Sequence, residues 1–273
     1  MEKDMNKNEL NNRWALVTGA SSGLGSDFAR QLAEMGCNLI LTARRVDRLE
    51  CLRDEIAAKF GVDVEILPAD LSQADSAQAL YDRIQAAGWQ VDVLINNAGY
   101  GLFGDFLARS AEETRAMLQV NVMTVVQLTH LFASDMVKRG LGYILLVAST
   151  GAYQPAPTFS AYAASKSFIL SFGEALNYEL RKTGVKVSVL SPGATHTEFH
   201  EVSGHGEKGL FMSLTMMDSP AVTRIGLDAL LKGRPSVIAG AVNWAQAELM
   251  RFLPRRWATA FAAGAMQTDT EKV

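Results

Sequence analysis

The stretch Trp14-Ala15-Leu16-Val17-Thr18-Gly19-Ala20-Ser21-Ser22-Gly23-Leu24-Gly25 decides how the chain is read. An apolar, partly β-branched run ends at a glycine-rich turn, and a helical period begins at Gly23. The segment therefore reads as strand, tight turn and helix N-terminus. The glycines have separate uses: Gly19 turns the chain, Gly23 lets backbone approach a pyrophosphate, and Gly25 lets the helix pack closely on the strand. Free N–H groups of the first helical turn would then face the anion. The spacing, three residues and then one between glycines, departs from the common G-x-G-x-x-G turn.

Outward from this segment, strands are expected at Trp14 to Thr18, Asn38 to Thr42, Asp63 to Leu67, Val91 to Ile95, Tyr143 to Ala148, Lys186 to Leu190 and Ser236 to Ala239. Helices should begin near Gly23, Asp47, Gln73, Ala111, Ala161 and Pro220. Strand and helix alternate and the strands are nearly continuous apolar runs. This pattern predicts an α/β fold, a doubly wound Rossmann-type parallel sheet of about seven strands. No linker or repeat interrupts the alternation, so the 273 residues read as one domain at 13–242, with a disordered tail at 1–12 and a C-terminal helical extension at 243–273.

Composition excludes some functions. Hydrophobic residues at 48% and charged ones at 20% exclude a disordered chain, and a net charge of -3 provides no positive field to hold nucleic acid. Cys37 and Cys51 lack the CxxC spacing of a zinc or redox motif and read as inert thiols in a reducing compartment. Residues Met1 to Asn12 lack the apolar core of a signal peptide, so a cytoplasmic location is expected. No apolar run approaches the roughly 20 residues of a membrane span; the nearest, towards the C-terminus, is broken by Pro254, Arg255 and Arg256. That segment sets Trp244, Leu249, Phe252, Leu253, Trp257 and Phe261 beside arginines, which suits a subunit contact in preference to a weak peripheral membrane contact.

Three further places carry chemistry. Tyr162 and Lys166 lie four apart on one helix, hence on one face. A free phenol, with a pKa of about 10, is a poor acid–base group at neutral pH, and a neighbouring ammonium is expected to lower it. Ser149 ends a strand, where its hydroxyl can enter the crevice beyond the sheet and hydrogen-bond a substrate carbonyl. At the end of the second strand Ala43 stands where an NAD-selective acid would be, and Arg44 and Arg45 follow. Arginine accommodates the 2′-phosphate of NADP, so NADP (NADPH) is expected, with Arg44 carrying most of the discrimination.

Taken together, Thr18 to Gly25, Asn96-Asn97-Ala98-Gly99, Asn121, Ser149, Tyr162-Ala163-Ala164-Ser165-Lys166 and Pro192-Gly193 resemble, in order, the motifs of the short-chain dehydrogenase/reductase family. The resemblance implies a catalytic set of Asn121, Ser149, Tyr162 and Lys166. It also implies a cofactor site at Gly19, Ser21, Ser22, Gly23, Leu24, Gly25, Arg44, Arg45, Asp70, Leu71, Asn97, Ala98, Gly99, Tyr162, Lys166, Pro192, Gly193, Thr195 and Thr197. In family members the lysine holds the nicotinamide ribose, the asparagine orders a water-linked proton path, and an Asp-Leu pair contacts adenine; helix capping is the alternative use of Asp70. Two departures stand out: Thr195 replaces a valine, and Ser22 stands where many NADP-using relatives carry a basic residue.

The family's substrate lid falls at 198–219, here rich in Met and Phe with hinge-like glycines, which suits an apolar substrate. Tyr100, Phe103, Tyr153 and Phe159 would complete the pocket. His196, Glu198 and His200 have the wrong spacing for HExxH, so no metal is expected. The resemblance also implies a homodimer or homotetramer acting on a small-molecule carbonyl or alcohol. Two other readings are a non-catalytic NADP-binding sensor and a membrane-surface lipid carbonyl reductase.

Overall fold

The computed structural model describes residues 9–195 and 216–266. Seven strands form one parallel sheet: β1 (Trp14–Thr18), β2 (Asn38–Thr42), β3 (Val64–Ile66), β4 (Val91–Asn96), β5 (Gly142–Val147), β6 (Val185–Ser191) and β7 (Ser236–Ile238). Their order is β3-β2-β1-β4-β5-β6-β7, so strand order reverses beside β1, where the loops leaving β1 and β4 part and open a crevice at the carboxyl edge. β1 and β2 have the expected ends, and the other strands differ from expectation by one residue at one or both ends.

Helices α1 (Gly23–Glu34), α2 (Val46–Phe60), α3 (Ser76–Ala86), α4 (Ala111–Leu118), α5 (Val125–Arg139), α6 (Ser160–Leu180) and α7 (Ser219–Leu231) cover the sheet. On one face Phe28 and Leu32 of α1, Leu49 and Ile56 of α2 and Val222 and Leu227 of α7 bury against Val17, Leu39 and Leu41. On the other, Leu80 and Ile84 of α3, Leu128 and Phe132 of α5 and Ile169 of α6 bury against Leu16, Leu94 and Ile144. A smaller cluster gathers Met117, Ala156, Phe159 and Ala163 around Tyr162.

The helix from Ala111 opens on a capping box, in which Ser110 Oγ accepts from the Glu113 N–H at 3.1 Å and the Glu113 carboxylate accepts from the Ser110 N–H at 2.8 Å. It does not end at Leu118. A π turn at Gln119–Thr124 joins α4 to α5, making one helical run from Ala111 to Arg139. By length and composition this run is apolar enough to cross a membrane, which corrects the expectation that the nearest approach lay at the C-terminus. Its buried residues Val125, Leu128, Phe132 and Met136 recur at helical spacing and pack on the sheet, so half of the apolar stretch already serves the core.

After β7 the chain forms α8 (Ala241–Phe252) and α9 (Arg255–Met266). Leu253, the residue before Pro254, is extended at ψ 140, as steric clash with the proline ring requires, and this separates the two helices. Trp244, Leu249, Phe252, Trp257 and Phe261 are exposed. Asn243, Ala247 and Met250 are buried, so α8 is packed into the fold through its inner face.

Candidate active site

The glycine-rich turn is braced from behind. Asn97 Nδ2 donates to Thr18 O at 2.9 Å, and the Asn97 and Ala98 N–H groups both donate to Thr18 Oγ1 at 3.0 Å. The Asn97 side chain thus holds the turn. Gly25 is required by contact: a Cβ there would lie 2.1 Å from Gly19 O. Ser22, the N-cap of α1, makes no side-chain cap bond, and the first turn contains no acid, so its N–H groups suit an anion.

The arginines divide differently from the expectation. Arg45 folds back over the turn, with Nη2 2.7 Å from Ser22 Oγ and 3.0 Å from Ser21 Oγ, whereas Arg44 is exposed. A guanidinium therefore stands against Ser22, the position where the sequence lacks a base. Arg44 instead faces Asp70. Burial pushes the Asp70 carboxyl up, but hydrogen bonds from Ser72 and Gln73, with the Arg44 charge, leave it below its ordinary value. Asp70 thus braces the turn before α3, which begins at Ser76 and not near Gln73, while Leu71 O accepts from Thr124 Oγ1 at 2.9 Å.

Asn121 lies inside the π turn and is fully buried. Its carboxamide clasps one residue of the loop after β4, donating to Tyr100 O at 2.9 Å and accepting from the Tyr100 N–H at 3.1 Å, and it also donates to Ser165 Oγ at 3.2 Å. Gly99 passes between Asn121 and Lys166; a Cβ there would lie 3.0 Å from Asn121 Oδ1 and 3.2 Å from Lys166 Nζ. π turns recur at functional sites. This one contains Asn121.

Ser149 caps a short 3-10 turn, accepting from the Gly151 N–H at 3.1 Å, and is hydrogen-bonded to Tyr162. Lys166 Nζ donates to Val147 O at 2.8 Å and lies 5.8 Å from the Tyr162 ring centroid. Burial dominates both groups. It pushes Tyr162 up to about 12, opposed by the Ser149 bond, and Lys166 down to about 8. The expected lowering of Tyr162 by the ammonium is not what the site shows: burial sets both directions, because each charged form would sit in a dry site, and at Tyr162 only the Ser149 bond opposes it.

Thr150 N–H donates to Pro192 O at 2.8 Å, and Gly193 is packed against Asn243, so α8 supports this loop. Thr195 pairs with Met217 in a parallel bridge, which brings the far end of the expected cover back to the crevice. Thr197, His196, Glu198, His200 and positions 198–215 of the cover lie outside the described residues. Of the expected pocket aromatics, Tyr100 and Phe103 are half-buried and Tyr153 is within 3.4 Å of Ser191 Oγ, but Phe159 is buried beneath Tyr162. Neither the π turn nor the Phe159 contact was read from the sequence.

A sheet reversing at β1, a glycine-rich turn at the switch point, Ser149 after β5 and the Tyr162–Lys166 pair on α6 define a nicotinamide-dinucleotide oxidoreductase scaffold. The chain matches the family described as short chain dehydrogenase over residues 13–208. It belongs to the short-chain dehydrogenase/reductase family. It is 33% identical over 189 residues to rat (Rattus norvegicus) 17-beta-hydroxysteroid dehydrogenase type 3, covering 68% of this chain and 60% of that protein. It is 30% identical over 196 residues to the very-long-chain 3-oxoacyl-CoA reductase of Anas platyrhynchos, covering 70% of this chain and 62% of that protein. The chain thus spans about three fifths of the length of these curated relatives. A short-chain dehydrogenase from Sphingobium yanoikuyae, solved in complex with NADPH, superposes with a TM-score of 0.77 at 29% identity, covering 89% of this chain and 97% of that one.

Proposed function

We propose that the protein is an NADP-dependent oxidoreductase that interconverts a ketone or aldehyde and the corresponding alcohol on an apolar substrate. The observation that carries this reading is the convergence of Ser149, Tyr162 and Lys166 at the carboxyl edge of the sheet, beside the loop that Asn121 holds. The nicotinamide, when bound, supplies or takes the hydride. In reduction, Ser149 Oγ hydrogen-bonds the carbonyl oxygen, and Tyr162 Oη gives that oxygen its proton as the hydride reaches carbon, which yields the alcohol. The phenolate left behind is balanced by the Lys166 ammonium four residues on. The buried phenol remains protonated, and so able to donate, throughout the physiological range.

The Arg45, Ser21 and Ser22 cluster supports NADP over NAD. A charge-assisted contact contributes roughly 1.5–3 kcal/mol, so Arg45→Ala should lower the NADP:NAD affinity ratio about tenfold or more, and Arg44→Ala less. Titration of both cofactors measures this; an unchanged ratio in Arg45→Ala would place selectivity elsewhere. Relatives named for steroids and very-long-chain acyl groups support a large apolar substrate. A panel of such carbonyls monitored by loss of NADPH absorbance tests the activity, and binding without turnover would favour the sensor reading. The exposed apolar residues of α8 and α9 support assembly into a homodimer or homotetramer, which light scattering reads directly.

A further inference from the structure

Phe159, three residues ahead of Tyr162, lies against the phenol ring. The two rings stack with centroids 4.3 Å apart and planes inclined by 25°. Phe103 meets Phe159 edge-on at 6.0 Å, and Phe159 is itself buried. The stack has room because residue 101 is glycine: a Cβ there would lie 2.3 Å from Phe159 Cζ and 3.3 Å from Tyr162 Cδ2. The backbone is also committed to this arrangement. Thr158, a β-branched residue, takes φ 63, a left-handed conformation that such side chains rarely adopt. Its carbonyl accepts from the Gly104 N–H at 2.9 Å, and Arg109 Nη2 donates to Phe103 O at 2.5 Å. The first bond ties the loop after β4 to the turn before α6, and the second braces that loop from within.

We propose that Phe159 is a positioning residue for the acid–base step: held between Gly101 and Tyr162, it fixes the plane of the phenol and keeps water from one of its faces. The role rests on Tyr162 being the proton donor. A ring free to swing loses the aligned approach on which proton transfer depends, and small misplacements near reacting atoms are costly in rate. Water on the exposed face would also stabilise phenolate, reducing the burial that now holds the Tyr162 pKa high.

A double-mutant cycle tests this. Gly101→Ala drives a methyl group into Phe159 Cζ, and Phe159→Leu removes that atom while keeping an apolar side chain. Gly101→Ala alone should lower kcat about tenfold or more with KM for NADPH unchanged, whereas the same exchange made on Phe159→Leu should lower kcat by less than about threefold. In parallel, 3-fluorotyrosine is placed at position 162 and its fluorine resonance is titrated with pH, a readout that needs no substrate. The midpoint should fall in Phe159→Ala and in Gly101→Ala. A merely structural role would shift the thermal unfolding midpoint and leave both the kcat coupling and the fluorine titration unmoved. Equal kcat costs of Gly101→Ala in the two backgrounds, or an unmoved fluorine midpoint in folded Phe159→Ala, would overturn the proposal. Turnover retained by Tyr162→Phe would overturn the acid–base reading instead, and the fluorine titration would still judge the stack by itself.

Discussion

Two tyrosine–lysine pairs stand at opposite edges of one sheet. At the amino edge Tyr143 and Lys186 are register partners on β5 and β6, with Lys186 Nζ 5.3 Å from the tyrosine ring centroid. At the carboxyl edge Tyr162 and Lys166 share a face of α6, with Nζ at 5.8 Å. The pairs are alike in composition and spacing but differ in their third partner. Tyr143 Oη donates to the Glu9 carboxylate at 2.5 Å, and Lys186 Nζ reaches the same oxygen at 3.1 Å. Tyr162 bonds the Ser149 hydroxyl and Lys166 the Val147 carbonyl, both neutral. A carboxylate completes the charge of the first pair and locks its phenol. The second pair has neutral partners, which suits the acid–base role proposed for it.

The largest expected effect breaks the comparison directly. Tyr162→Phe should lower kcat by roughly 10²–10⁴-fold, the usual worth of a general acid, with cofactor affinity nearly intact. Tyr143→Phe should leave kcat at the wild-type value. Steady-state kinetics decide it: loss of less than about tenfold in Tyr162→Phe, equivalent to about 1.4 kcal/mol, would remove the distinction between the two phenols.

Next comes the lysines' cost. Lys166 is buried and its folded pKa of about 8 lies below the ordinary 10.5, so at neutral pH the fold bears the burial of an ammonium. Burying an ion costs stability unless a counter-charge offsets it, and Lys166 bonds a neutral carbonyl, so Lys166→Met is expected to stabilise while losing activity. The sign follows from proton counting. Between about 8 and 10.5 the unfolded chain holds a proton that the folded one has released, so wild-type stability should rise with pH across that window and Lys166→Met should lack the rise. Lys186→Met should instead destabilise, by under about 1 kcal/mol, because its pair with Glu9 is partly exposed. Urea unfolding of both variants across the window measures this; destabilisation by Lys166→Met would mean that its bond to Val147 O outweighs its burial.

Local spacing and period made much of this legible in the sequence. The strand-turn-helix at Trp14 to Gly25 needs only its own residues to be read, and so does the i,i+4 pair Tyr162 and Lys166. What escaped depends on contacts distant in sequence. The π turn at Gln119–Thr124 has no composition of its own; it places the Asn121 amide against Tyr100, 21 residues away. Arg45 outranks Arg44 at the turn because the start of α2 sets which side chain points back at Ser21 and Ser22. Glu9 lay in a segment read as tail, and its partners are 134 and 177 residues further along the chain. Spacing says nothing of burial, and burial is what sets the direction of the Tyr162 shift.

The smallest effect sharpens the comparison by making the amino-edge pair resemble the other. Glu9→Gln keeps the shape and removes the charge. The Glu9 carboxyl is held below its ordinary value chiefly by the Tyr143 hydrogen bond, with burial opposing and Lys186 and Arg13 assisting. A carboxylate with a lowered folded pKa adds stability above its unfolded value and loses it as pH falls through the folded one. Glu9→Gln should therefore destabilise at neutral pH by under about 1 kcal/mol, the usual worth of a partly exposed pair, and match wild type in acid. Tyr143, raised by burial and by the Glu9 bond, should titrate at lower pH in the variant, since one of those two causes is gone. Turnover should not change, because an uncompensated Tyr–Lys pair without a serine and a cofactor turn beside it has nothing to protonate. Denaturant unfolding at neutral and acid pH reads the stability, and a destabilisation that persisted undiminished in acid would show Glu9 acting through packing rather than charge.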